Sequence, residues 1–362
     1  MDWAVPEYDK GEIDGAGRHL AKIDFPVSTN EGVSALKVIN NWRSAHSYPL
    51  NTFQITLRNR ARKIERTVIV AQRIKRLESI HAKLSRQPTM RMSQMQDIAG
   101  CRAVLKNVRD VRRLVKRYKE SRFDHKFRGE KDYITQPKPE GYRCHHLVYE
   151  YRGTAATSAY DGTKVEIQIR SQLQHAWATA VEAVGIFTKQ ALKSSQGDED
   201  WLRFFALMGS AIAAIEGCNP VPGTPTDKEK LASEIEELAA KLHVSEMLMA
   251  YNTTIEHVSK VKGAKYFLLR LEPDPAPGKI TVAQYKARES EVANAQYTEM
   301  ESAVPDGSSI QVVLVSVDNI NALRRAYPNY FLDTEKFTDQ VDRVLRRDFP
   351  DPLPHPSASD IA

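Results

Sequence analysis

Two hydrophobic spacings alternate along the chain and predict a protein of mixed helices and strands. Apolar residues three or four positions apart indicate helices, whereas alternating or short β-branched runs indicate strands. Helices are predicted over residues 32–46, 58–86, 109–121, 172–190, 200–216, 228–260, 282–302, 320–327 and 334–346. Strands are predicted over residues 101–106, 145–151, 163–170, 265–272 and 310–317. The order predicts an α+β fold with a smaller α+β unit towards the C-terminus.

Breaks in this pattern indicate where domains begin and end. The segment Gly217–Asp227 is rich in Pro and Gly and reads as a loop. We expect a helical N-terminal extension (1–55), a main α+β domain (56–216), a linker with a long helix (217–260), a C-terminal α+β domain (261–348) and a disordered tail (349–362). The tail prediction depends on its prolines and its lack of a hydrophobic period.

The composition excludes several classes of protein. No stretch approaches the roughly 20 apolar residues of a membrane span, and the acidic N-terminal residues lack the apolar core of a signal peptide. Cys101, Cys144 and Cys218 lie far apart and form no CxxC pair. This fits a reducing cytosol better than a disulfide scaffold or a Cys-rich zinc module. We therefore expect a cytoplasmic protein without a membrane partner.

Positive charge is concentrated in one part of the 362 residues. The whole chain has a net charge of +6, but Leu57–Lys131 holds 23 Lys and Arg against 7 Asp and Glu, a local +16. The remainder carries −10. Such a run usually means solvated helix faces. Here it adjoins the motifs described next, so a polyanion is the expected partner.

The segment 164–170 alternates strictly between apolar and polar residues. Val165, Ile167 and Ile169 share one face, and the other face presents Lys164, Glu166, Gln168 and Arg170. The polar face fits an exposed surface strand with charge pairs. It equally fits a wet cleft in which a carboxylate holds a metal or accepts a proton. Alternation alone does not choose between them.

A second polar cluster occupies residues 131–146, where two prolines and a glycine predict a loop. It offers cations and aromatic rings, a combination suited to a phosphorylated base, although the tyrosines could simply pack. His145 and His146 have no third ligand at a suitable spacing, so we expect no zinc site.

Asp97 lies just before this region of strands. It could be a turn residue, or it could form a two-carboxylate Mg²⁺ site together with Glu166. Neither GxxxxGK[ST] nor GxGxxG occurs in the chain. A bound nucleotide must therefore be held by side chains.

The order of these motifs resembles the RelA/SpoT alarmone synthetase domain over roughly residues 60–190. The matching features are D-x-x-G-x-R from Asp97 to Arg102, the DYI…PK…GYR…H segment from Asp132 to His146, EIQIR from Glu166 to Arg170, and Trp177-Ala178. The resemblance implies a mixed sheet flanked by helices. It also implies Mg²⁺-dependent transfer of the β,γ-pyrophosphate of ATP to a ribose 3′-hydroxyl.

The resemblance further implies roles for single residues. Asp97 and Glu166 would be catalytic and hold Mg²⁺, with Glu166 placed to activate the attacking hydroxyl. Arg102 would stack on adenine, with Arg73 on its other side, and Tyr142 would stack on the acceptor base. Phosphate contacts are implied for Lys75, Lys83, Lys138, Arg143 and His146, and cleft support for Gln168 and Arg170.

The chain also departs from the usual pattern. The motif usually written GYRS reads Gly-Tyr-Arg-Cys at Gly141–Cys144, and the glutamate expected soon after Trp177 stands at Glu182. No His-Asp dipeptide occurs, so an attached hydrolase domain is not expected. The extra C-terminal domain is instead similar to that of fused toxin–antitoxin (CapRel-type) members, which are inhibited until a phage protein binds.

Two acceptors remain open within this resemblance. The basic block favours the 3′-CCA end of tRNA, because a phosphate backbone engages many cations. The alternative is GDP or GTP, which would give the alarmone (p)ppGpp. Tyr327 and Tyr330 form a Y-x-x-Y segment like the one that fused domains place over the adenine site, although a lone YxxY usually just packs. A non-catalytic RNA-binding protein is the second alternative.

Overall fold

The computed structural model describes most of the chain. The described residues are 3–22, 29–188, 198–250, 253–258, 261, 263–272, 278–305, 308, 310–317, 323, 325–328 and 334–356.

Three helices precede the first strand: α1 (Lys10–Leu20), α2 (Asn30–Ala45) and α3 (Ser47–Arg62). The side chain of Asp9 caps α1 by accepting a hydrogen bond from the Glu12 amide. Thr29 caps α2 in the same way, at 3.1 Å from the Gly32 amide. Capping side chains satisfy amides that have no partner within a helix. The polar residues before each helix therefore fix where it begins.

The described strands form one nine-stranded mixed sheet, in the order β3-β4-β5-β2-β1-β9-β7-β8-β6. The strands are β1 (Ile69–Ile74), β2 (Ala99–Leu105), β3 (Lys126–Asp132), β4 (His145–Glu150), β5 (Lys164–Ser171), β6 (Thr253–Val258), β7 (Ala264–Glu272), β8 (Gly278–Lys286) and β9 (Gln311–Ser316). β2 and β5 run parallel, and β1 pairs antiparallel with both β2 and β9. The β1–β9 pair joins the first five strands to the last four.

The remaining helices cover the two faces and one end of this sheet. They are α4 (Leu77–Arg86), α5 (Val108–Glu120), α6 (Gln172–Phe187), α7 (Glu199–Glu216), α8 (Lys228–Lys241), α9 (Val244–Ala250), α10 (Ser290–Ser302) and α11 (Glu335–Leu345). α3 and α5 bury their apolar sides against one face of β1, β2 and β5. α10 packs on β7 and β9. No helix in the described part of the chain is long and apolar enough to span a membrane.

The α+β prediction is confirmed, as are all five predicted strands. The predicted helix over 58–86 is wrong, because α3 ends at Arg62 and β1 follows before α4 begins. The run Thr67–Ala71 is rich in β-branched residues, and pairing with β2 and β9 overrides the helical propensity around it. The predicted helix 228–260 breaks after Ala250, where β6 follows. The helix predicted over 282–302 begins only at Ser290, after β8.

The last described helix packs on helices that precede the C-terminal strands in sequence. α11 packs against α6, α7 and α8 through Phe337, Val341 and Val344, not against the C-terminal strands. The tail is described as far as Pro356, and its Phe349 is buried in the same cluster. Residues 357–362 lie outside the described part. We call β6 to Tyr327 (residues 253–327) the C-terminal unit.

A tight contact fixes the loop between β3 and β4. Gly141 has a φ of +98°, and a Cβ there would lie 2.9 Å from the Phe205 carbonyl oxygen and from the Trp177 ring. The Trp177 indole also donates a hydrogen bond to that carbonyl, at 2.8 Å. The loop therefore needs glycine for both its backbone angle and its packing on α7.

We expect Gly141→Ala to destabilise the protein by roughly 2–4 kcal/mol, because it adds an overpacked methyl group to a strained φ. Gly162→Ala is the matched control, since Gly162 has a φ of +86° with nothing within 4 Å of its Cβ position. That control should lose only about 1 kcal/mol. Chemical denaturation of both variants measures the difference, and equal losses would show that the contact with α7 is unimportant.

Candidate active site

A cavity of about 450 Å³ lies over one face of the first five strands. Its floor consists of alternate residues from neighbouring strands, because side chains two apart point to the same face. Register places Arg73 opposite Gly100, Gly100 opposite Glu166, and Gln168 opposite both Arg102 and His146. The apolar residues between them face the core under α3 and α5. The alternation predicted for β5 therefore separates core from cavity.

Asp97 is held at one end of the cavity by two lysines. Its Oδ2 lies 3.0 Å from Lys75 Nζ, and its Oδ1 lies 2.9 Å from Lys83 Nζ. Burial alone would raise the pKa of the Asp97 carboxyl, but the two lysine charges outweigh burial and lower the pKa to about 2. Asp97 is therefore an anion at neutral pH, and both lysines are directed towards it.

Glu166 lies on the floor within a hydrogen-bonded chain. Its Oε1 is 2.8 Å from His146 Nδ1, and its Oε2 accepts from Gln168 Nε2 at 2.7 Å. The other ring nitrogen of His146 lies 2.9 Å from the Tyr142 hydroxyl. Burial would raise the pKa of Glu166, but the charge and hydrogen bond of His146 hold that pKa below its ordinary value. Glu166 is thus ionised and oriented by its neighbours.

Tyr142 and Lys138 form a cation–π pair that lines the cavity together with Glu166. Lys138 Nζ lies 5.3 Å from the centre of the Tyr142 ring and 5.2 Å from that of Tyr133. The Tyr142 ring meets the Trp177 ring edge to face at 6.5 Å. A planar base can stack on such a ring while the cation contacts its phosphates.

Arg102 is covered by the C-terminal unit. Its guanidinium carbon lies 5.0 Å from the centre of the Tyr327 ring, and it donates a hydrogen bond to the Ala326 carbonyl. The Tyr327 hydroxyl donates to the Gln72 carbonyl at 2.9 Å. Burial and the nearby charge of Arg170 lower the pKa of Arg102 to about 10. Tyr327 thus covers one face of the Arg102 guanidinium.

The carboxylates fit a magnesium ion that arrives with phosphates. No group of three or more His, Cys, Asp or Glu side chains among the described residues could hold a metal. Asp97 and Glu166 supply two carboxylates on one cavity, and the charge of Asp97 acts on Glu166. Mg²⁺ commonly takes one or two carboxylates and completes its shell with phosphate oxygens and water. This donor set therefore suits Mg²⁺ rather than a metal caged by protein alone.

Most of the predicted site residues line this cavity. Those that do are Arg73, Lys75, Lys83, Asp97, Arg102, Lys138, Tyr142, His146, Glu166, Gln168 and Tyr327. Arg143 and Arg170 lie outside its lining and are buried. Arg143 donates to the Ile134 and Asn219 carbonyls, so it holds the loop. Arg170 contacts His175, on the first turn of α6. Tyr330 lies outside the described residues.

Ten further residues line the cavity without having been predicted as site residues, among them Arg128, Lys131 and Gln96. Arg128 and Lys131 come from the edge strand β3, and Gln96 precedes Asp97. β3 is exposed along most of its length and has no hydrophobic alternation. The sequence showed Arg128 only as part of the charged block, and Lys131 also as the first residue of the polar cluster 131–146.

A sequence profile described as the region found in RelA/SpoT proteins matches residues 72–191. The GTP pyrophosphokinase YjbM of Bacillus subtilis (strain 168) is 38% identical over 112 residues, which are 30% of this chain and 52% of that protein. The GTP pyrophosphokinase YwaC of the same organism is 37% identical, with the same two shares. This chain therefore spans about half the length of the curated relatives it matches.

Among solved structures, small alarmone synthetase 1 from Bacillus subtilis, bound to its product pppGpp, is 30% identical with a TM-score of 0.33. That match covers 37% of this chain and 74% of the synthetase. The profile match contains Asp97, Arg102, Tyr142 and Glu166, which the cavity brings together. The chain therefore carries a RelA/SpoT region over residues 72–191.

Proposed function

We propose that this cavity transfers the pyrophosphoryl group of ATP to a ribose 3′-hydroxyl. The observation that carries the proposal is a pair of ionised carboxylates, Asp97 and Glu166, in one cavity lined with cations and bounded by the Tyr142 ring. Such a cavity suits a polyphosphate at one end and a stacked base at the other. The relatives named GTP pyrophosphokinases support the same reaction class.

The reaction forms a bond between the acceptor 3′-oxygen and the β-phosphorus of ATP. It breaks the bond between the β-phosphorus and the oxygen that bridges the α- and β-phosphates, and AMP leaves. Lys75 and Lys83, which both bind Asp97, would contact the phosphate oxygens on which charge accumulates. Bound Mg²⁺, held by Asp97 and Glu166, would add further charge neutralisation. Glu166 is the ionised group placed to accept the hydroxyl proton, while Tyr142 orients the acceptor base.

The 3′-CCA end of tRNA is the acceptor that we propose. Arg113 and Lys116 on α5 are well exposed, and α5 is joined to β3 through the Lys119–Glu130 ion pair at 2.7 Å. β3 in turn places Arg128 and Lys131 in the cavity lining. Cations thus extend from α5 across the sheet edge to the cavity, an arrangement that suits a phosphate backbone. GDP or GTP is the alternative acceptor, which the names of the relatives favour.

We further propose that the chain is an autoinhibited, translation-blocking toxin of a fused toxin–antitoxin system. The contact of Tyr327 with Arg102 supports this, because the tyrosine ring covers one face of the guanidinium on which adenine is proposed to stack. Activation then requires Tyr327 to move, and a phage protein bound by the C-terminal unit is the proposed trigger.

Replacing the Glu166 carboxylate tests for catalysis. Glu166→Gln keeps the shape of the side chain but removes its charge and its ability to accept a proton. We expect the transfer rate to fall by about 10²–10⁴-fold, as measured with radiolabelled ATP, with thermal unfolding as the folding control. Full effect on cells in the absence of transfer would instead favour the non-catalytic RNA-binding alternative.

The acceptor is tested by incubating γ-labelled ATP and Mg²⁺ with tRNA, GTP, GDP or AMP. We expect label at the 3′ end of tRNA and none on tRNA whose terminal ribose has been oxidised by periodate. Labelling of GTP or GDP alone would reject the tRNA proposal while leaving the reaction class intact.

Autoinhibition is tested by removing the Tyr327 ring together with the other tyrosine of the Y-x-x-Y segment. Tyr327→Ala combined with Tyr330→Ala should raise the basal transfer rate and make expression more toxic, because Arg102 becomes accessible to adenine. Tyr327→Phe is the matched control, since it keeps the ring and loses only the hydrogen bond to Gln72. An unchanged rate and unchanged growth in the double variant would argue that Tyr327 merely packs.

A further inference from the structure

A buried ion pair joins the C-terminal unit to the N-terminal helices. Arg43 on α2 and Glu301 on α10 lie 2.9 Å apart, with side-chain exposures of 3% and 9%. Tyr297, one turn earlier on α10, accepts a hydrogen bond from Arg43 at 2.9 Å and donates one to Glu301 at 2.8 Å. The pair is therefore both desolvated and enclosed by hydrogen bonds.

Both members of this pair also hold the backbone between β1 and α4. Arg43 Nε donates to the Lys75 carbonyl at 3.1 Å, and Glu301 Oε1 accepts from the Leu77 amide at 2.7 Å. Leu77 is the first residue of α4, whose own N-cap residue, Arg76, forms no side-chain capping bond. A carboxylate 224 positions away in sequence therefore supplies the cap, and its charge complements the helix dipole.

This backbone turn positions the cations that surround Asp97. The Lys75 amide donates to the Ile98 carbonyl at 2.8 Å, next to Asp97, and the Lys75 side chain binds the Asp97 carboxylate. Lys83 reaches the same carboxylate from α4. Displacement of Glu301 would leave Arg43 buried without its ionic partner and the start of α4 uncapped. The turn would then lose its contact at Leu77, and Arg43, which holds the Lys75 carbonyl, would lose its own support.

We propose that Arg43 and Glu301 are positioning residues for the phosphate-binding end of the cavity. The C-terminal unit accordingly has two opposed effects: Tyr327 covers Arg102, whereas Glu301 completes the support of Lys75 and Lys83. Activation then moves the segment around Tyr327 while α10 stays docked. Loss of the whole C-terminal unit would therefore weaken phosphate binding instead of activating the protein. This inference depends on the proposed use of the cavity for ATP.

The test uses the full chain with Tyr327→Ala, so that the cavity is open. Titration calorimetry with Mg²⁺ and a non-hydrolysable ATP analogue measures affinity before and after Glu301→Ala is added. We expect the added substitution to weaken binding by about tenfold or more. In turnover, it should raise the KM for ATP and leave the KM for the acceptor unchanged, because the acceptor lies at the Tyr142 end. Glu301→Gln keeps an acceptor for the Leu77 amide, so it should lose less affinity for the ATP analogue than Glu301→Ala.

Glu299→Ala is the matched control, because Glu299 is exposed on the same helix; its affinity should stay within about twofold. Unchanged affinity in a folded Glu301→Ala protein would overturn the inference. If that variant does not fold, Glu301→Gln decides by the same measurement: weakened binding supports the inference and unchanged binding overturns it. Failure of the Tyr327→Ala protein itself to bind the analogue would contradict the proposed function instead.

Discussion

The antiparallel pairing of β1 with β9 is the contact on which the rest of the arrangement depends. The pairing is short, with Gln72 opposite Ser316 and Arg73 opposite Val315. It nevertheless joins β1–β5 and β6–β9 into one sheet. α10 comes before β9 and the Tyr327 segment comes after it. Because β9 lies beside the cavity floor, Glu301 of α10 contacts the start of α4, and Tyr327 contacts Arg102. A single strand pair therefore sets both contacts.

Burial of the cations that line the cavity costs free energy unless other groups contact them. These cations are partly desolvated, and burial lowers the pKa of Lys75 and brings that of Arg102 to about 10. The chain meets this cost with its own groups: Asp97 pairs with two lysines, and the Ala326 carbonyl and the Tyr327 ring contact Arg102. A nucleotide would have to replace these contacts, so in the proposed autoinhibition the difference in free energy between the two sets determines its strength.

Whether a strand could be predicted from the sequence depended on its position in the sheet and on how far away in sequence its partners lie. β5 was predictable, with Glu166 and Gln168 on its polar face, because a single buried face imposes alternation. β3 was missed because it is an exposed edge strand, which needs no apolar face. β1 was missed because its pairing with β9 is remote in sequence. The position of Arg143 depends on the Asn219 carbonyl, 76 residues away, so motif order alone could not show that it leaves the cavity.

The basic block is divided by the sheet, and this division bears on the acceptor more than the total charge does. Arg73, Lys75 and Lys83 line the cavity, together with other basic side chains from β2 and β3. The cations of α5 lie behind the sheet, because the apolar side of that helix packs on the face opposite the cavity. A guanine nucleotide at Tyr142 would be too small to reach them. In the proposed reaction with tRNA, a nucleic acid backbone that enters over β3 would contact both groups, so the outer cations would also take part in binding.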